Sequence, residues 1–96
     1  MLFSQIEAFV EVARARTVSR AADALFITQP ALSARLHRLE EELDTKLFVR
    51  TPRGMKLTEA GEVFLPHAVR ALDSLADVEP ESWRETLESL RPSVPA

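Results

Sequence analysis

The stretch TQPALSARLHRLEEEL, Thr28 to Leu43, constrains the fold most, because it specifies both the start and the buried side of one helix. Thr28 can cap the helix, and Pro30 falls in its first turn, where the missing N–H costs no hydrogen bond. A leucine stripe at helical spacing predicts that one side packs on a core, and it consists of Leu32, Leu36, Leu39 and Leu43. The opposite side becomes glutamate-rich only at its far end, so we expect its earlier part to have a role beyond solvation.

The preceding residues predict two shorter helices. Ser4 to Glu7 has the spacing of a capping box, and the first helix should continue to about Arg16. Ser19 can cap a second helix from Arg20 to Leu25. Two short helices and the third one, separated by tight turns, predict a helix-turn-helix.

After Leu43 the pattern changes from helical to strand-like. Leu47 to Arg50 and Met55 to Leu57 are short strand-like runs, and Thr51 to Gly54 between them contains the Pro and Gly expected of a hairpin turn. A two-stranded ribbon after a helix-turn-helix is a wing. We therefore predict a mainly α fold, a winged helix-turn-helix of three helices and a two-stranded wing, followed by a long helix.

The long fourth helix should begin at Thr58 and Glu59 and end near Val78, before Pro80. Its apolar residues alternate by steps of four and three, the spacing of a coiled-coil seam. The predicted dimerisation residues are Leu65, Ala68, Val69, Leu72, Leu75 and Ala76. The stripe is broad, so we expect a second copy of the helix to cover it. The predicted divisions are a winged helix-turn-helix domain (1–58), a linker and dimerisation helix (59–79), and an amphipathic tail or truncated linker (80–96).

Composition limits the classes of function. Ninety-six residues suit one small domain, and a pocket for a large cofactor is not expected. The chain has no cysteine, which excludes disulfides and thiolate zinc sites, and two isolated histidines do not predict a metal site. We therefore predict no cofactor, no metal and no small-molecule site. No apolar run is long enough to cross a bilayer, so we expect a soluble, intracellular protein without a membrane partner.

The net charge of −3 is divided unevenly along the chain. Residues 1–58 hold nine Lys and Arg against seven acids, a net charge of +2. Residues 59–96 hold three bases and eight acids, a net charge of −5. Only the first region is a candidate for contact with nucleic-acid phosphates.

Several residues of the third helix have chemistry suited to the major groove of DNA. Gln29 can bind adenine through two hydrogen bonds, although a solvated first-turn glutamine is the alternative. Ser33 can reach a base edge or a phosphate, and the small side chain of Ala34 can touch a thymine methyl group. Arg35 is a candidate phosphate contact. Thr28, at the start of the helix, is also among the predicted DNA-binding residues.

The remaining candidates have structural alternatives. Arg38 can bind a phosphate or pair with Glu41 or Glu42 on its own helix. His37 can meet a phosphate or remain solvated. Arg50, Arg53 and Lys56 lie on or beside the wing, where arginine can enter a narrow minor groove, whereas a polar turn residue also serves solubility.

In these motifs the chain resembles the amino-terminal DNA-binding domain of the LysR-type transcriptional regulators. The matching stretches are AFVEVARARTVSRAADAL, TQPALSARLHRLEEEL and KLFVRTPRGMKLTEAGE, and the resemblance covers residues 1 to about 79. It implies a bacterial, nucleoid-associated cytoplasmic protein that binds double-stranded DNA at interrupted palindromes as a homodimer joined by the linker helix. It also implies base or backbone contacts from Gln29, Pro30, Ser33 and Arg53.

We therefore predict a dimeric regulator of transcription that binds a specific DNA sequence. An enzyme is not expected, because no nucleophile, base and orienting group occur together; Ser33 and His37 lack a third partner. The rival hypothesis is an effector-less interaction module, which pairs through the fourth helix with a full-length relative and antagonises it.

Overall fold

The computed structural model describes residues 1–76, which form four helices and a two-stranded sheet. In chain order these are α1 (Phe3–Ala15), α2 (Val18–Ala24), α3 (Gln29–Leu43), β1 (Phe48–Thr51), β2 (Gly54–Leu57) and α4 (Glu59–Ala76). This architecture confirms the predicted fold class. The predicted end of the fourth helix at Val78 and the tail assigned to 80–96 lie outside the described residues. None of the helices within residues 1–76 is long and apolar enough to span a membrane.

Helix α3 begins and packs as its sequence predicts. Thr28 Oγ1 accepts a hydrogen bond of 3.2 Å from the backbone N–H of Ala31, and Pro30 lies in the first turn. Along the leucine stripe, Leu32, Leu36 and Leu39 are buried and Leu43 is half-buried. The leucine side therefore anchors α3, and its capped start lies at the surface.

The start of α1 differs from the prediction, since Ser4 and Glu7 do not form its capping box. The helix begins at Phe3, and Ser4 lies inside its first turn. The side chain of Gln5 takes the capping role instead: its Oε1 accepts a hydrogen bond of 2.9 Å from the backbone N–H of Leu2. Gln5 is buried, at 3% exposure, so this bond also satisfies a polar group that packing removes from water.

The cap of α2 also lies earlier than predicted. Arg16 adopts a left-handed backbone conformation with φ of 65° and ends α1 abruptly. Arg16 and Thr17 alone separate the two helices, and Thr17 Oγ1 accepts a hydrogen bond of 3.1 Å from the backbone N–H of Arg20. Thr17 is therefore the N-cap, and Ser19, the predicted cap, lies within α2.

Three phenylalanines join elements that are distant in sequence. The ring of Phe9 on α1 lies 5.3 Å from that of Phe48 on β1 and 5.1 Å from that of Phe64 on α4, measured between centroids. Both pairs are tilted, an arrangement that adds about 0.5–1.5 kcal/mol per pair beyond burial. Together with fully buried Leu32 and Leu39 of α3, this cluster fixes the wing and α4 against the helical core.

The wing is an antiparallel hairpin whose tip is tied to the helices. In its register Phe48 pairs with Leu57 and Thr51 with Gly54. Thr51 Oγ1 donates a hydrogen bond of 2.8 Å to the carbonyl oxygen of Gly54 across the turn. The backbone N–H of Met55 donates a hydrogen bond of 2.7 Å to the carbonyl oxygen of Arg16. The tip of the wing is therefore held at the turn between α1 and α2.

The predicted start of α4 is confirmed. Thr58 Oγ1 accepts a hydrogen bond of 3.0 Å from the backbone N–H of Gly61 and donates one of 2.6 Å to the carbonyl oxygen of Lys46. Glu59 and Glu62 lie in the first turn, where carboxylates interact favourably with the helix dipole. The cap thus links α4 to the segment that leads into the wing.

Candidate nucleic-acid interface

Seven of the eight residues predicted for DNA binding on α3 and at its N-cap are exposed. Those exposed are Thr28, Gln29, Pro30, Ser33, Ala34, His37 and Arg38. The exception on this helix is Arg35, which is half-buried. The hydroxyl group of Thr28 is engaged as the helix cap. Gln29, the next residue and the first of α3, therefore presents its side-chain amide at the start of the helix.

An open groove of about 480 Å³ separates the start of α3 from the wing. Gln29 and Ser33 line it on the helix side, and Arg50 and Arg53 line it on the wing side. Donors and acceptors of α3 and two guanidinium groups are therefore brought to one concave surface. Hydrogen-bonding side chains next to arginines are the groups used to contact base edges and phosphates.

A second groove continues along α3 towards its carboxyl end. Pro30, Ala34 and His37 line it on the helix, and Arg50 faces them from β1. Arg50 thus borders both grooves. The second groove also includes Lys46, an exposed base that the sequence prediction did not include in the site.

Lys56 lies apart from the other predicted site residues. In the hairpin register it pairs with Val49, on the face opposite that of Arg50 and its partner Met55. It borders a separate depression with Ala13 of α1 and with Arg53. Among the predicted wing bases, the structure therefore places Arg50 and Arg53 beside α3 but not Lys56.

The ion pairs on α3 differ from the alternative considered for Arg38. Glu41 Oε1 lies 2.6 Å from His37 Nε2, and Glu42 pairs with the amino group of Met1 at 3.2 Å. Arg38 forms no salt bridge with any residue in the described range 1–76. Its exposed guanidinium group is therefore not committed to the acids of its own helix.

Besides Lys46, three other polar residues beside the site were not predicted from the sequence. Thr17 and Ser19, at the start of α2, line the groove that contains Gln29 and Arg53. Glu40 lies beneath the second groove, and its Oε2 accepts a hydrogen bond of 2.7 Å from the backbone N–H of Leu47. Helical spacing gave no signal for them, because their positions depend on the approach of α2 and β1 to α3.

The predicted dimerisation seam on α4 is partly covered by its own chain. Ala68 is only 1% exposed and belongs to the core, while Leu65 and Leu72 are half-buried and pack against that core. Val69 is 37% exposed and, among the seam residues whose side chains the structure describes, is the most available to a partner. The side chains of Leu75 and Ala76 lie outside the described part of the chain.

Three helices with a capped, exposed third helix beside a two-stranded wing define a winged helix-turn-helix domain. The family model "Bacterial regulatory helix-turn-helix protein, lysR family" matches residues 3–62, which is more than half of the chain. The chain therefore belongs to the lysR family of bacterial regulatory helix-turn-helix proteins.

Comparison with individual proteins agrees with this assignment. The chain is 53% identical over 76 residues to the HTH-type transcriptional regulator BudR of Klebsiella aerogenes, covering 79% of this chain and 52% of that protein. It thus spans about half the length of this relative. A crystal structure of a CbnR DNA-binding domain–DNA complex has a TM-score of 0.78 and 32% identity, and covers 93% of this chain and 99% of that one.

A second DNA-bound structure, the BenM DNA-binding domain with catB site 1 DNA, has a TM-score of 0.80. It is 32% identical, and the comparison covers 93% of this chain and 98% of that chain. Both solved structures therefore correspond to nearly the full length of the present chain.

Proposed function

We propose that this chain binds specific sequences of double-stranded DNA as a symmetric dimer and thereby regulates transcription. The observation that carries the proposal is the groove in which Gln29 and Ser33 of α3 face Arg50 and Arg53 of the wing. The DNA-bound structures of the CbnR and BenM domains, which share this fold, support the same partner. The role is one of binding, in the bacterial cytoplasm, without a catalytic step.

In this proposal α3 enters the major groove by its capped start. The helix presents Gln29 to adenine and Ala34 to a thymine methyl group, and these contacts select the sequence. Arg38 and Arg50 contact phosphates, which supplies affinity but little sequence discrimination. Arg53 at the wing tip enters the adjacent minor groove, where it responds to groove width.

Pairing of two chains through α4 places two such surfaces on one DNA duplex. Two-fold symmetry then requires an interrupted palindrome whose half-sites lie about 34 Å apart, or a multiple of that distance. Exposed Val69 supports α4 as the contact surface. The rival role as an antagonist that pairs with a full-length relative receives no support from the similarity to BudR, itself a transcriptional regulator.

The direct test is selection of bound duplexes from random DNA, followed by fluorescence anisotropy with the selected duplex and with a scrambled one. We expect a palindromic consensus and binding that weakens steeply with salt, by about 0.9 in the logarithmic slope for each phosphate neutralised. Arg14→Ala is a control for the loss of one positive charge outside the proposed interface, because Arg14 is exposed on α1 and lines neither groove. It should leave the selected consensus unchanged. Equal affinity for selected and scrambled duplexes would refute sequence-specific binding.

A further inference from the structure

The outer side of α3 contains a short hydrogen bond between a histidine and a carboxylate. His37 Nε2 lies 2.6 Å from Glu41 Oε1, one helical turn further along α3, and both side chains are 63% exposed. An ionised carboxylate can only accept hydrogen bonds, so the proton of this bond belongs to Nε2. The one ring nitrogen left for an external partner is therefore Nδ1.

His37 lies on the surface proposed to meet DNA. It borders the second groove, about 12 Å along the helix axis from Gln29 at 1.5 Å per residue. Charged groups from every element around His37 line the second groove or a neighbouring depression at the carboxyl end of α3. They are Glu40, Glu41 and Asp44 from α3 and its end, Lys46 from the connection to β1, and Arg50 from β1. Glu40 is already engaged by the N–H of Leu47, whereas Lys46 and Arg50 are exposed cations.

We propose that His37 makes a proton-linked contact with a DNA phosphate and that Glu41 is the positioning residue for this contact. The proposal rests on the DNA-binding function given above and adds a chemical requirement to it. While Nε2–H is held by Glu41, neutral imidazole offers only the lone pair of Nδ1, which cannot bind a phosphate oxygen. Only the imidazolium ion, with a proton on each nitrogen, can donate to both Glu41 and the phosphate.

Charge balance favours the same protonated form on DNA. With a neutral ring, the His37–Glu41 pair leaves one negative charge next to the phosphates. With a protonated ring, the net charge of the pair is zero. Lys46 and Arg50 in the same groove indicate an anionic partner here, and not the amino group of a base, which would need the neutral ring.

The direction of the pH effect follows from proton linkage. In the proposed complex the DNA-bound state holds more protons at His37 than the free state, so affinity rises as the pH falls. A contact with the amino group of cytosine or adenine would require neutral Nδ1. That contact would give the opposite sign, with weaker binding at acid pH.

The experiment measures affinity for the selected duplex at about pH 8 and pH 6 and at constant ionic strength. For the unaltered protein we expect binding to tighten by roughly 3- to 10-fold per chain. His37→Gln should lose this gain, because the amide does not titrate. His67→Gln is the matched control: it removes the second histidine of the chain, exposed on α4, and should behave as the unaltered protein.

Glu41→Gln tests the positioning role. The amide can accept from Nε2–H or donate to the Nε2 lone pair, so it no longer keeps the proton on Nε2, and the neutral ring can then donate from Nδ1 to the phosphate. We expect this variant to bind more tightly than the unaltered protein at about pH 8 and to gain less on acidification. Nitrogen-15 NMR of the ring should show protons on both nitrogens of His37 in the complex at neutral pH.

Three outcomes would overturn the inference while leaving DNA binding intact. They are binding that does not change with pH, binding that weakens at acid pH, and a pH dependence retained by His37→Gln. The last would assign the pH dependence to a group other than His37. Failure of the unaltered protein to bind DNA at any pH would instead refute the proposed function itself.

Discussion

The Glu40 carboxylate accepts a hydrogen bond of 2.7 Å from the backbone N–H of Leu47, seven residues further along the chain. Its Oε2 also lies 3.5 Å from the backbone nitrogen of Phe48 at the start of β1. The same oxygen therefore links α3 to the beginning of the wing. This bond holds α3 close to β1, and both of these elements border the first and the second groove.

Glu40→Ala should lower the free energy of unfolding by about 1–3 kcal/mol, because a largely buried N–H loses a charged acceptor. Urea denaturation of the purified protein measures this loss. Glu40→Gln, which keeps an acceptor oxygen, should lose clearly less. Lys46→Ala should have almost no effect, since the Lys46–Glu40 pair is 4.0 Å long and its lysine is 72% exposed. Equal losses for Ala and Gln at position 40 would show that charge, and not the hydrogen bond, is decisive.

Gly54→Ala should destabilise the tip of the wing. Gly54 has φ of +117°, and an added Cβ would overlap with the carbonyl oxygen of Arg16. Backbone strain of this kind costs about 1–3 kcal/mol, and the N–H of Met55 would also be drawn away from its bond to Arg16. Thermal unfolding by circular dichroism measures the effect. Pro52→Ala, at an exposed position of the same turn, is the control and should change stability by no more than about 1 kcal/mol.

Much of the fold was predictable because local chemistry and packing agree. The leucine stripe of α3, its Thr28 cap and the Pro–Gly turn of the wing each depend on residues within a few positions of one another. The two helix starts that were predicted wrongly depend on other factors. Arg16 in a left-handed conformation moves the cap to Thr17, and burial of Gln5 fixes the start of α1. Neither could be inferred from the sequence, because both are set by how α1 packs.

In the candidate site, too, features set by nearby residues could be predicted, whereas features set by packing could not. The exposed side of α3 followed from helical periodicity, so the exposure of Gln29 and Ser33 could be predicted. Lys46 and Glu40 were missed because their places depend on the path from α3 into β1. The His37–Glu41 pair has the i, i+4 spacing of a helix pair and was therefore within reach of sequence analysis.

A proline inside α4, Pro66, did not interrupt the helix within the described residues.

Gln29→Ala should weaken binding to the selected duplex by about 1–3 kcal/mol and leave binding to scrambled DNA almost unchanged. The reason is that a side chain bound to a base edge contributes only on the correct sequence. Fluorescence anisotropy with both duplexes gives the two affinities. An equal loss on both duplexes would assign Gln29 to the DNA backbone.

Arg53→Ala should reduce affinity most for sites with A·T-rich flanks, where a narrow minor groove attracts arginine. Arg53 lies at the wing tip and lines the groove shared with Gln29. The measurement compares duplexes that differ only in their flanks, together with the length of the footprint. Arg14→Ala removes the same charge from an exposed position of α1 and should have a smaller effect that does not depend on the flanks. An unchanged footprint and affinity in the Arg53 variant would remove the wing from the interface.

Val69→Glu should dissociate the proposed dimer without unfolding the chain. A charge at Leu72 would be a poor test, because Leu72 is half-buried and packs against the core of its own chain. Val69 is 37% exposed on the predicted seam, where two unpaired carboxylates buried between chains would cost several kcal/mol. Val63→Glu is the matched control: Val63 is also a valine on α4, 65% exposed, but lies about 120° away around the helix at 100° per residue.

Light scattering should give the mass of one chain for the Val69 variant and of two for the Val63 variant, with the same helical content by circular dichroism. The monomer keeps one recognition surface, so its affinity for the palindrome should fall strongly while its affinity for a single half-site is retained. A Val69→Glu protein that remains dimeric at micromolar concentration would place the interface elsewhere. If Val63→Glu were monomeric instead, the contact surface would be the side of α4 near Leu43, Leu47 and His67.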